Sequence, residues 1–361
     1  KIIYLIFKGY KYSIWLAFGF GFLSLAGVND ILFAREIIRT GFFSPYALIV
    51  LIFTQAIVLA HKFSQLFIRN ELLVASSSLF VPTNFISLLG KNDITQLKFG
   101  DKIEKKLSVL FSDIRNFTNL SENMSADENF NFINSYLKVM GPIIRESHGF
   151  IDKYIGDSIM ALFPDEVESS INAALNMQEK LIEYNQNRKK SNYSPIEIGI
   201  GIHYGNLMLG TIGEAERMEG TVISDNVNLA SRLEGLTKIY GCSIIISEAM
   251  LQNMKNAEAY KFRMLDTIRV KGKNNSVSIY QIFTRVELDM YHDFEKIKSL
   301  YENGLQLYRA REFSKAIAVF TEILNIVPTD KPSKVILDKC NIMSKQNLSD
   351  DWDAITTLME K

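Results

Sequence analysis

The sequence predicts an α+β protein: an antiparallel-rich sheet with helices on one face, preceded by apolar helices and followed by a helical hairpin. Three observations predict this class. Two long apolar stretches lie within the first 61 residues. From residue 99 to 285, apolar β-branched runs alternate with helical patterns but lack the regular βαβ spacing of a parallel sheet. Helical periodicity dominates again after residue 290.

Residues 1–61 predict two transmembrane helices. The first apolar stretch, residues 14–34, reaches the length of about 20 residues that a span needs only by including Asn29 and Asp30. The second, residues 46–60, reaches it by adding the aromatic residues before it. Their Gly-rich and aromatic-rich composition favours a membrane over the alternative, two buried helices of a soluble domain.

Basic residues lie on both outer sides of the two stretches. Lys8 and Lys11 precede the first, and Lys62 and Arg69 follow the second, while two arginines in the connection weaken the asymmetry. This pattern favours both outer flanks in the cytoplasm. Because the chain starts without Met, we expect a fragment of a larger membrane domain.

Residues 62–98 predict a connecting helix that ends near Pro82. Its loose apolar stripe is too short to establish a coiled coil. Two interpretations remain open: an ordinary surface helix, or a dimer-forming signalling helix that passes a membrane event to the next domain.

Composition excludes several classes of function. Lys plus Arg and Asp plus Glu each number 40, so the net charge is zero, and we expect no nucleic-acid partner. Cys242 and Cys340 lie far apart and form no metal-ligand spacing or disulfide framework. The four histidines are scattered, so a histidine metal site is not expected.

The central domain, residues 99–285, predicts the sheet and its helices. Hairpins are expected where Gly156–Asp157 and Tyr204–Asn206 interrupt apolar runs. Helices follow from apolar periodicity, and Ser224 or Asp225 is the expected cap of the third. Strands are predicted at 107–112, 150–163 (as a hairpin), 196–212 (as a hairpin), 243–247, 262–270 and 278–283, and helices at 121–146, 167–184 and 225–238.

Asp113 and Asp157 are the most informative pair of residues. Each carboxylate follows an apolar, β-branched run, which predicts a strand end or a tight turn. Two carboxylates brought together from separate strands can hold two divalent cations, and such two-metal sites catalyse phosphoryl and nucleotidyl transfer.

A glycine-rich run at 199–205 superficially resembles a dinucleotide-binding loop. It lies inside an alternating strand pattern and opens no helix, so the context that this fingerprint requires is missing.

Four ordered motifs carry a more specific resemblance. They are Phe111–Thr118, Asp152–Asp157, Val227–Glu234 and Val270–Lys273. Together they make the central domain similar to the class III adenylate and guanylate cyclase catalytic domain. The resemblance implies a ferredoxin-like fold.

The resemblance implies roles for the residues in these motifs. Asp113 and Asp157, with the backbone carbonyl of Ile114, would hold two Mg²⁺ or Mn²⁺ ions per site. Asn228 would orient the ribose and Arg232 would stabilise charge in the transition state. Further substrate contacts would come from Lys271 at the phosphates and from Phe117 and Thr118.

Base choice depends on Lys153 and Thr221. Adenylate cyclases of this family place a lysine where Lys153 stands, whereas guanylate cyclases place an acid there. Thr221 stands at the second base-reading position and marks a bacterial subgroup, some of it bicarbonate-stimulated. A hydroxyl can accept from the adenine amino group. The resemblance therefore implies ATP as the substrate.

The resemblance also implies a symmetric homodimer, because sites of this family take residues from both chains. We expect an adenylate cyclase that forms 3′,5′-cyclic AMP and pyrophosphate. The alternatives are a guanylate cyclase and a catalytically silent dimerisation or sensing module. A diguanylate cyclase is disfavoured because its Gly-Gly-(Asp/Glu)-Glu-Phe hairpin is absent from the sequence.

The last region, residues 290–361, has spacing similar to one tetratricopeptide-type helix pair, formed by Tyr301–Tyr308 and Phe313–Phe320. Such a pair could bind a protein partner; the alternative is a helical hairpin packed on the central domain. The N-terminal helices resemble the last two helices of bacterial seven-helix receptors that carry intracellular signalling modules. This implies a multi-pass protein of the bacterial inner membrane with its catalytic domain in the cytoplasm.

Overall fold

The computed structural model describes residues 13–214, 216–270, 276–349 and 351–358. The chain forms two compact units, one ending at Phe80 and the other starting at Val81.

The first unit contains two long helices, α1 (Ser13–Ala34) and α2 (Ser44–Ser77), that are long and apolar enough to cross a membrane. They pack closely where Gly19 meets α2, since a side chain there would lie 2.5 Å from Thr54 Oγ1. Asp30 accepts hydrogen bonds from Phe43 N (2.7 Å) and Ser44 N (3.0 Å), so its carboxylate organises the connection and the start of α2.

The helix α2 does not stop at the end of the predicted span. It continues without a break through the first part of the predicted connecting helix to Ser77. Most of its large apolar side chains are exposed, Phe53, Phe63 and Phe67 among them. The buried ones are few and face α1.

The second unit is built around a nine-stranded sheet. Its elements are α3 (Thr83–Leu88), β1 (Lys102–Ile114), α4 (Phe117–Ser121), α5 (Ala126–Glu146), β2 (Phe150–Ile155), β3 (Ser158–Phe163), α6 (Val167–Lys190), β4 (Ile198–Gly213), β5 (Met218–Ile223), α7 (Asp225–Tyr240), β6 (Ile244–Ser247), α8 (Glu248–Asn253), β7 (Phe262–Val270), β8 (Ser276–Ile282), α9 (Arg285–Asp289), α10 (Phe294–Arg309), α11 (Phe313–Ile326), α12 (Lys331–Met343) and β9 (Thr356–Leu358).

The strand order is β2-β3-β1-β4-β6-β8-β7-β9, and β5 pairs with β4 outside this path. The β4–β6 and β7–β9 pairs are parallel and the others are antiparallel. The prediction of an α+β fold with an antiparallel-rich sheet is therefore confirmed.

The predicted hairpin around Tyr204–Asn206 is wrong. Residues 198–213 form one strand of 16 residues, and its residues 198–210 pair with β1 without interruption. Gly205, which favoured a turn in the sequence, instead lies where the Asn226 side chain approaches the strand; a Cβ there would lie 2.5 Å from Asn226 Nδ2. The long antiparallel partner β1 therefore outweighs the local turn signal.

Helices cover both faces of the sheet, not one as the sequence predicted. On one face, α5 and α6 pack against side chains such as Leu110, Ile159 and Ile200. On the other, α7 and the C-terminal helices pack against side chains such as Ile245 and Leu265. The alternation of apolar side chains along central strands allows both layers to form.

The helical C-terminal region is confirmed and contains more than the expected hairpin. Three helices, α10 to α12, pack on the sheet, and β9 pairs with β7. Arg263 of β7 and Asp330, the residue before α12, form a buried bidentate ion pair with N–O distances of 3.0 and 2.5 Å. This packing agrees with the alternative interpretation, a helical element seated on the central domain.

Candidate active site

The two carboxylates lie at one edge of the sheet. Asp113 is the next-to-last residue of β1, and Asp157 lies in the tight turn that joins β2 to β3. Gly156 makes this turn possible because its φ of 64° lies in the left-handed region. Ser112 pairs with Ile159, so the strand register brings the two acidic segments side by side. Residues 44 positions apart thus reach the same place.

The backbone of Ile114 links the two segments. Its N–H donates to Asp157 Oδ2 at 3.2 Å. Two carboxylates and a backbone carbonyl are oxygen ligands of the kind that Mg²⁺ and Mn²⁺ prefer. Among the residues that the structure describes, no group of three or more His, Cys, Asp or Glu side chains could hold a metal. The donor set fits a metal that takes its remaining ligands from a substrate.

Tyr136 reports the electrostatic character of this edge. Its hydroxyl lies 3.2 Å from the Oγ of Ser112, the residue before Asp113. Burial, and then the negative charges of Asp113 and Asp157, raise the pKa of Tyr136 well above its usual range. The phenol therefore stays protonated, and the edge carries negative charge that cations would neutralise.

The segment after the carboxylate edge turns sharply into α4. Asn116 has a φ of 55°, a left-handed conformation that asparagine tolerates better than most residues. Phe117 is half-buried and stacks on Phe132 of α5, with ring centroids 6.2 Å apart. Thr118 is exposed. Of the two predicted substrate contacts here, only Thr118 is exposed to solvent.

Lys153 and Thr221 contact each other directly. Lys153 Nζ donates to Thr221 Oγ1 at 3.1 Å, although the residues lie on β2 and β5, which are not neighbouring strands. Asp152 Oδ2 lies 3.5 Å and Glu219 Oε1 3.7 Å from the same nitrogen. Burial raises the pKa of Asp152, and the neighbouring Lys153 opposes this only in part. The two predicted base-reading residues thus form one polar cluster.

Asn228 and Arg232 lie four residues apart on α7 and therefore share a helix face. Ser224 caps this helix by accepting from Asn226 N at 3.2 Å, so the predicted cap residue is confirmed. Asn228 is exposed and Arg232 is half-buried. Within the described part of the chain, Arg232 Nη1 is buried without a hydrogen-bond partner. An unpaired buried donor of this kind is a ready partner for a phosphate oxygen.

A buried histidine, for which the sequence pattern indicated no role, holds the start of α7. His203 Nε2 lies 3.0 Å from Asn226 Oδ1, and His203 Nδ1 lies 2.7 Å from Ser247 Oγ. The ring therefore links β4, β6 and the first turn of α7. Burial lowers the pKa of His203, which keeps the imidazole neutral at physiological pH.

The glycine-rich run dismissed as a dinucleotide loop has a packing role. A Cβ on Gly201 would lie 2.1 Å from Glu234 N, and one on Gly199 would lie 2.1 Å from Thr237 Oγ1. The missing side chains let α7 approach β4 closely. The sequence indicated this close approach, because glycines at positions i and i+2 of a strand leave the same face of the sheet without side chains.

The opposite end of α7 is held by two cations. Arg115, two residues after Asp113, donates from Nη2 to the carbonyl oxygens of Thr237 (3.3 Å) and Cys242. Lys331 at the start of α12 donates to Lys238 O at 3.0 Å. Positive side chains at a helix C-terminus are favourable because they complement the helix dipole.

The predicted site residues thus fall into three groups. Asp113, Ile114 and Asp157 lie together, Lys153 contacts Thr221, and Asn228 and Arg232 share α7. Lys271 lies outside the described residues.

Comparison with known proteins identifies the domain. The family model for the adenylate and guanylate cyclase catalytic domain matches residues 101–284. The chain is 44% identical over 209 residues to an adenylate cyclase of Anabaena cylindrica, which covers 56% of this chain and 42% of that protein. It is 35% identical over 269 residues to the terminal-differentiation-specific adenylate cyclase of Dictyostelium discoideum, which covers 73% of this chain and 13% of that protein.

The chain therefore spans less than half the length of these two relatives. Among solved structures, that of a bacterial light-regulated adenylyl cyclase aligns with a TM-score of 0.53 at 22% identity, covering 67% of this chain and 69% of that one, which supports the fold alone. The family match covers just over half of the 361 residues and includes both carboxylates, the Lys153–Thr221 pair and α7. This chain belongs to the adenylate and guanylate cyclase catalytic domain family.

Proposed function

We propose that this protein converts ATP to 3′,5′-cyclic AMP and pyrophosphate. The contact of Lys153 with Thr221 is the observation that favours ATP over GTP as the substrate. The ammonium group only donates hydrogen bonds, so it suits the N1 acceptor of adenine and opposes the N1–H donor of guanine. The Thr221 hydroxyl accepts from Lys153 and has a second lone pair for the adenine amino group. Two relatives named adenylate cyclase support the same choice.

Members of this family use divalent metal ions, and we propose two Mg²⁺ or Mn²⁺ ions held by Asp113, Asp157 and the Ile114 carbonyl. When bound, such ions would acidify the ribose 3′-hydroxyl and neutralise the triphosphate. The adjacency of the two carboxylate segments, set by the β1–β3 register and the hydrogen bond from Ile114 N to Asp157, supports this assignment.

The other residues of the site act on the reacting atoms. The 3′-oxygen attacks the α-phosphorus as the bond from that phosphorus to the bridging oxygen breaks, and pyrophosphate leaves. Arg232 has an unpaired buried donor available for charge that develops on the phosphoryl oxygens. Asn228, one helical turn earlier, would hold the ribose, and Lys271 would bind the phosphates. Thr118, whose side chain is exposed, would contact substrate, whereas Phe117 would act through its packing on Phe132.

We further propose that the site forms between two copies of the chain. The carboxylates and the α7 residues would then serve different sites within one homodimer. The exposed apolar surfaces of α1 and α2 support anchoring in a membrane. We propose the division predicted from the sequence: spans in residues 1–61, a connecting segment at 62–98, the cyclase at 99–285 and a helical tail at 290–361. We propose that the whole protein is a bacterial inner-membrane receptor whose output is a cytoplasmic cyclase.

Complementation tests both the activity and the shared site. Asp157→Ala and Arg232→Ala would be expressed separately and together as full chains in nanodiscs, and cyclic AMP and cyclic GMP measured with ATP and GTP. Each variant alone should be inactive. Random pairing makes half the dimers mixed, with one intact site of two, so co-expression should restore about a quarter of the wild-type rate with ATP.

The outcomes separate the two parts of the proposal. An inactive mixture beside an active wild type would contradict the shared site while leaving the cyclase activity. A wild type that forms no cyclic nucleotide with either substrate would contradict the activity itself. Preference for GTP would contradict the role of Lys153.

A further inference from the structure

A cavity lies away from the three groups of the candidate site. It has a volume of about 550 Å³ and sits between α4, the start of α5 and the C-terminal end of α6. Its volume lies in the range of small-molecule sites, about 300–1,000 Å³. Its walls combine apolar and aromatic side chains with several asparagines and serines and one cation; the lining residues that matter here are Leu120, Met124, Phe132, Tyr184, Arg188 and Tyr193.

Arg188 is the unusual residue of this cavity. It is only 7% exposed. Its guanidinium carbon lies 4.7 Å from the ring centroid of Phe132, 5.5 Å from that of Tyr193 and 6.0 Å from that of Tyr184. Nε donates to Ser194 O at 2.8 Å. Aromatic faces stabilise a cation but do not neutralise it.

No carboxylate in the described part of the chain forms an ion pair with Arg188. Glu128 also lines the cavity, but its carboxylate accepts from Ser125 N at 2.8 Å in a capping box at the start of α5. Buried charges in proteins are almost always paired, because leaving one uncompensated in an apolar setting is costly. The cavity therefore holds a fixed positive charge that lacks an anion.

We infer that this cavity binds a small organic carboxylate with a flat apolar body. The carboxylate would pair with the terminal guanidinium nitrogens of Arg188, and the body would pack against Leu120 and Met124. A single guanidinium matches one carboxylate in a two-point contact. A phosphate dianion fits less well, because the cavity offers a single cation and also contains the Glu128 carboxylate.

The cavity is connected to the carboxylate edge by aromatic stacking. The Phe132 ring under Arg188 also stacks on Phe117, the first residue of α4. Leu120 on the same short helix lines the cavity. A bound ligand would thus restrain α4, which follows Asp113 and Ile114 after two residues. This regulatory consequence rests on the proposed cyclase function, whereas the binding itself does not.

The test uses 4-fluorobenzoate as the probe and its neutral analogue 4-fluorobenzamide as the control ligand, with ¹⁹F NMR on the full chain in nanodiscs. Arg188→Met keeps the length of the side chain and removes its charge. Lys190→Met, on the same helix but exposed and outside the lining, is the matched control. Leu120→Trp fills the cavity and leaves Arg188 intact.

We expect saturable binding of 4-fluorobenzoate to the wild type and to Lys190→Met, and binding at least tenfold weaker to Arg188→Met and Leu120→Trp. Equal binding of the benzamide, unchanged binding to both cavity variants, or no saturable binding to the wild type would overturn the inference. If binding holds, the cyclase rate should respond to the probe in the wild type and not in Leu120→Trp. An unresponsive but active wild type would overturn only the regulatory link.

Discussion

The carboxylate half of the candidate site and the half on α7 are held by different means. Asp113 and Asp157 are fixed by backbone: the register of β1 with β3, a glycine turn and one hydrogen bond to Ile114 N. The helix α7 is instead fixed by side chains at both ends, His203 at its start and Arg115 and Lys331 at its end. Point substitutions away from the reacting atoms should therefore disturb α7 more readily than the carboxylate edge.

The largest effect on kcat is expected from loss of the Asp157 charge in the carboxylate half. Asp157→Asn keeps an acceptor for Ile114 N but loses the charge. Electrostatic stabilisation worth about 4 kcal/mol should disappear, lowering kcat about 10³-fold. The measurement is the rate of cyclic AMP formation at saturating Mn²⁺, with exposed Asp165→Asn as the control. A variant that retained more than a tenth of the wild-type rate would contradict the role of this carboxylate.

An intermediate effect is expected at the base-reading cluster. Lys153→Glu replaces the donor that contacts Thr221 with an acceptor. We expect kcat/KM for ATP to fall about 10²-fold, because the N1 acceptor of adenine would then face another acceptor. Use of GTP should rise relative to ATP. Steady-state kinetics with both nucleotides measures this, and Lys138→Glu, exposed on α5, is the matched control. Unchanged ATP kinetics would remove Lys153 from the site.

The smallest expected effect is on the pH dependence of stability. It concerns His203, which holds the α7 half of the site and has no counterpart among the residues described for the carboxylate half. Burial lowers the pKa of His203 below the 6.5 of an exposed histidine. The unfolded chain then binds a proton there at higher pH than the folded chain does. The free energy of unfolding therefore falls as the pH drops below 6.5. His203→Gln removes this term, although losing a buried hydrogen bond costs about 1–2 kcal/mol at neutral pH.

Thermal unfolding between pH 7 and pH 5.5 measures this difference. The Tm of His203→Gln should start lower than that of the wild type and decline less with acidification. The exposed His292→Gln should behave like the wild type. A wild-type pH slope retained in His203→Gln would show that the titration belongs to another group.

The carboxylate half was also the part of the site that the sequence predicted best. Asp113 and Asp157 each sit in a local strand–turn pattern, so short-range rules place them. The contact between Lys153 and Thr221 joins residues 68 positions apart, and before the structure only the family resemblance gave the two a shared role, in reading the base. His203 was missed because a lone histidine in an apolar strand gives no signal until Asn226 and Ser247 are brought to it.

The same division applies to the fold. Most strands and the three long helices in residues 99–285 followed from periodicity, and the α+β class is confirmed, but β5, which carries Thr221, was not predicted. The turn predicted at Tyr204–Asn206 failed because pairing with β1 is a long-range effect. The strand β9 could not be predicted either, since its three residues gain their conformation from pairing with β7. Local chemistry predicts elements, whereas pairing across the sheet decides their length.

The buried pair of Arg263 and Asp330 makes the direction of synthesis matter. The arginine leaves the ribosome first, and its carboxylate follows 67 residues later. At about 5–20 residues per second this delay is roughly 3–13 seconds. Once Tyr291 and Tyr301 cover the arginine, its charge needs this partner, because a buried ion pair that lacks one member costs about 3–5 kcal/mol. We expect the C-terminal helices to seat firmly on the sheet only after Asp330 has been made, so a chain that ended before it would contain every residue of the site but leave its last strands uncovered.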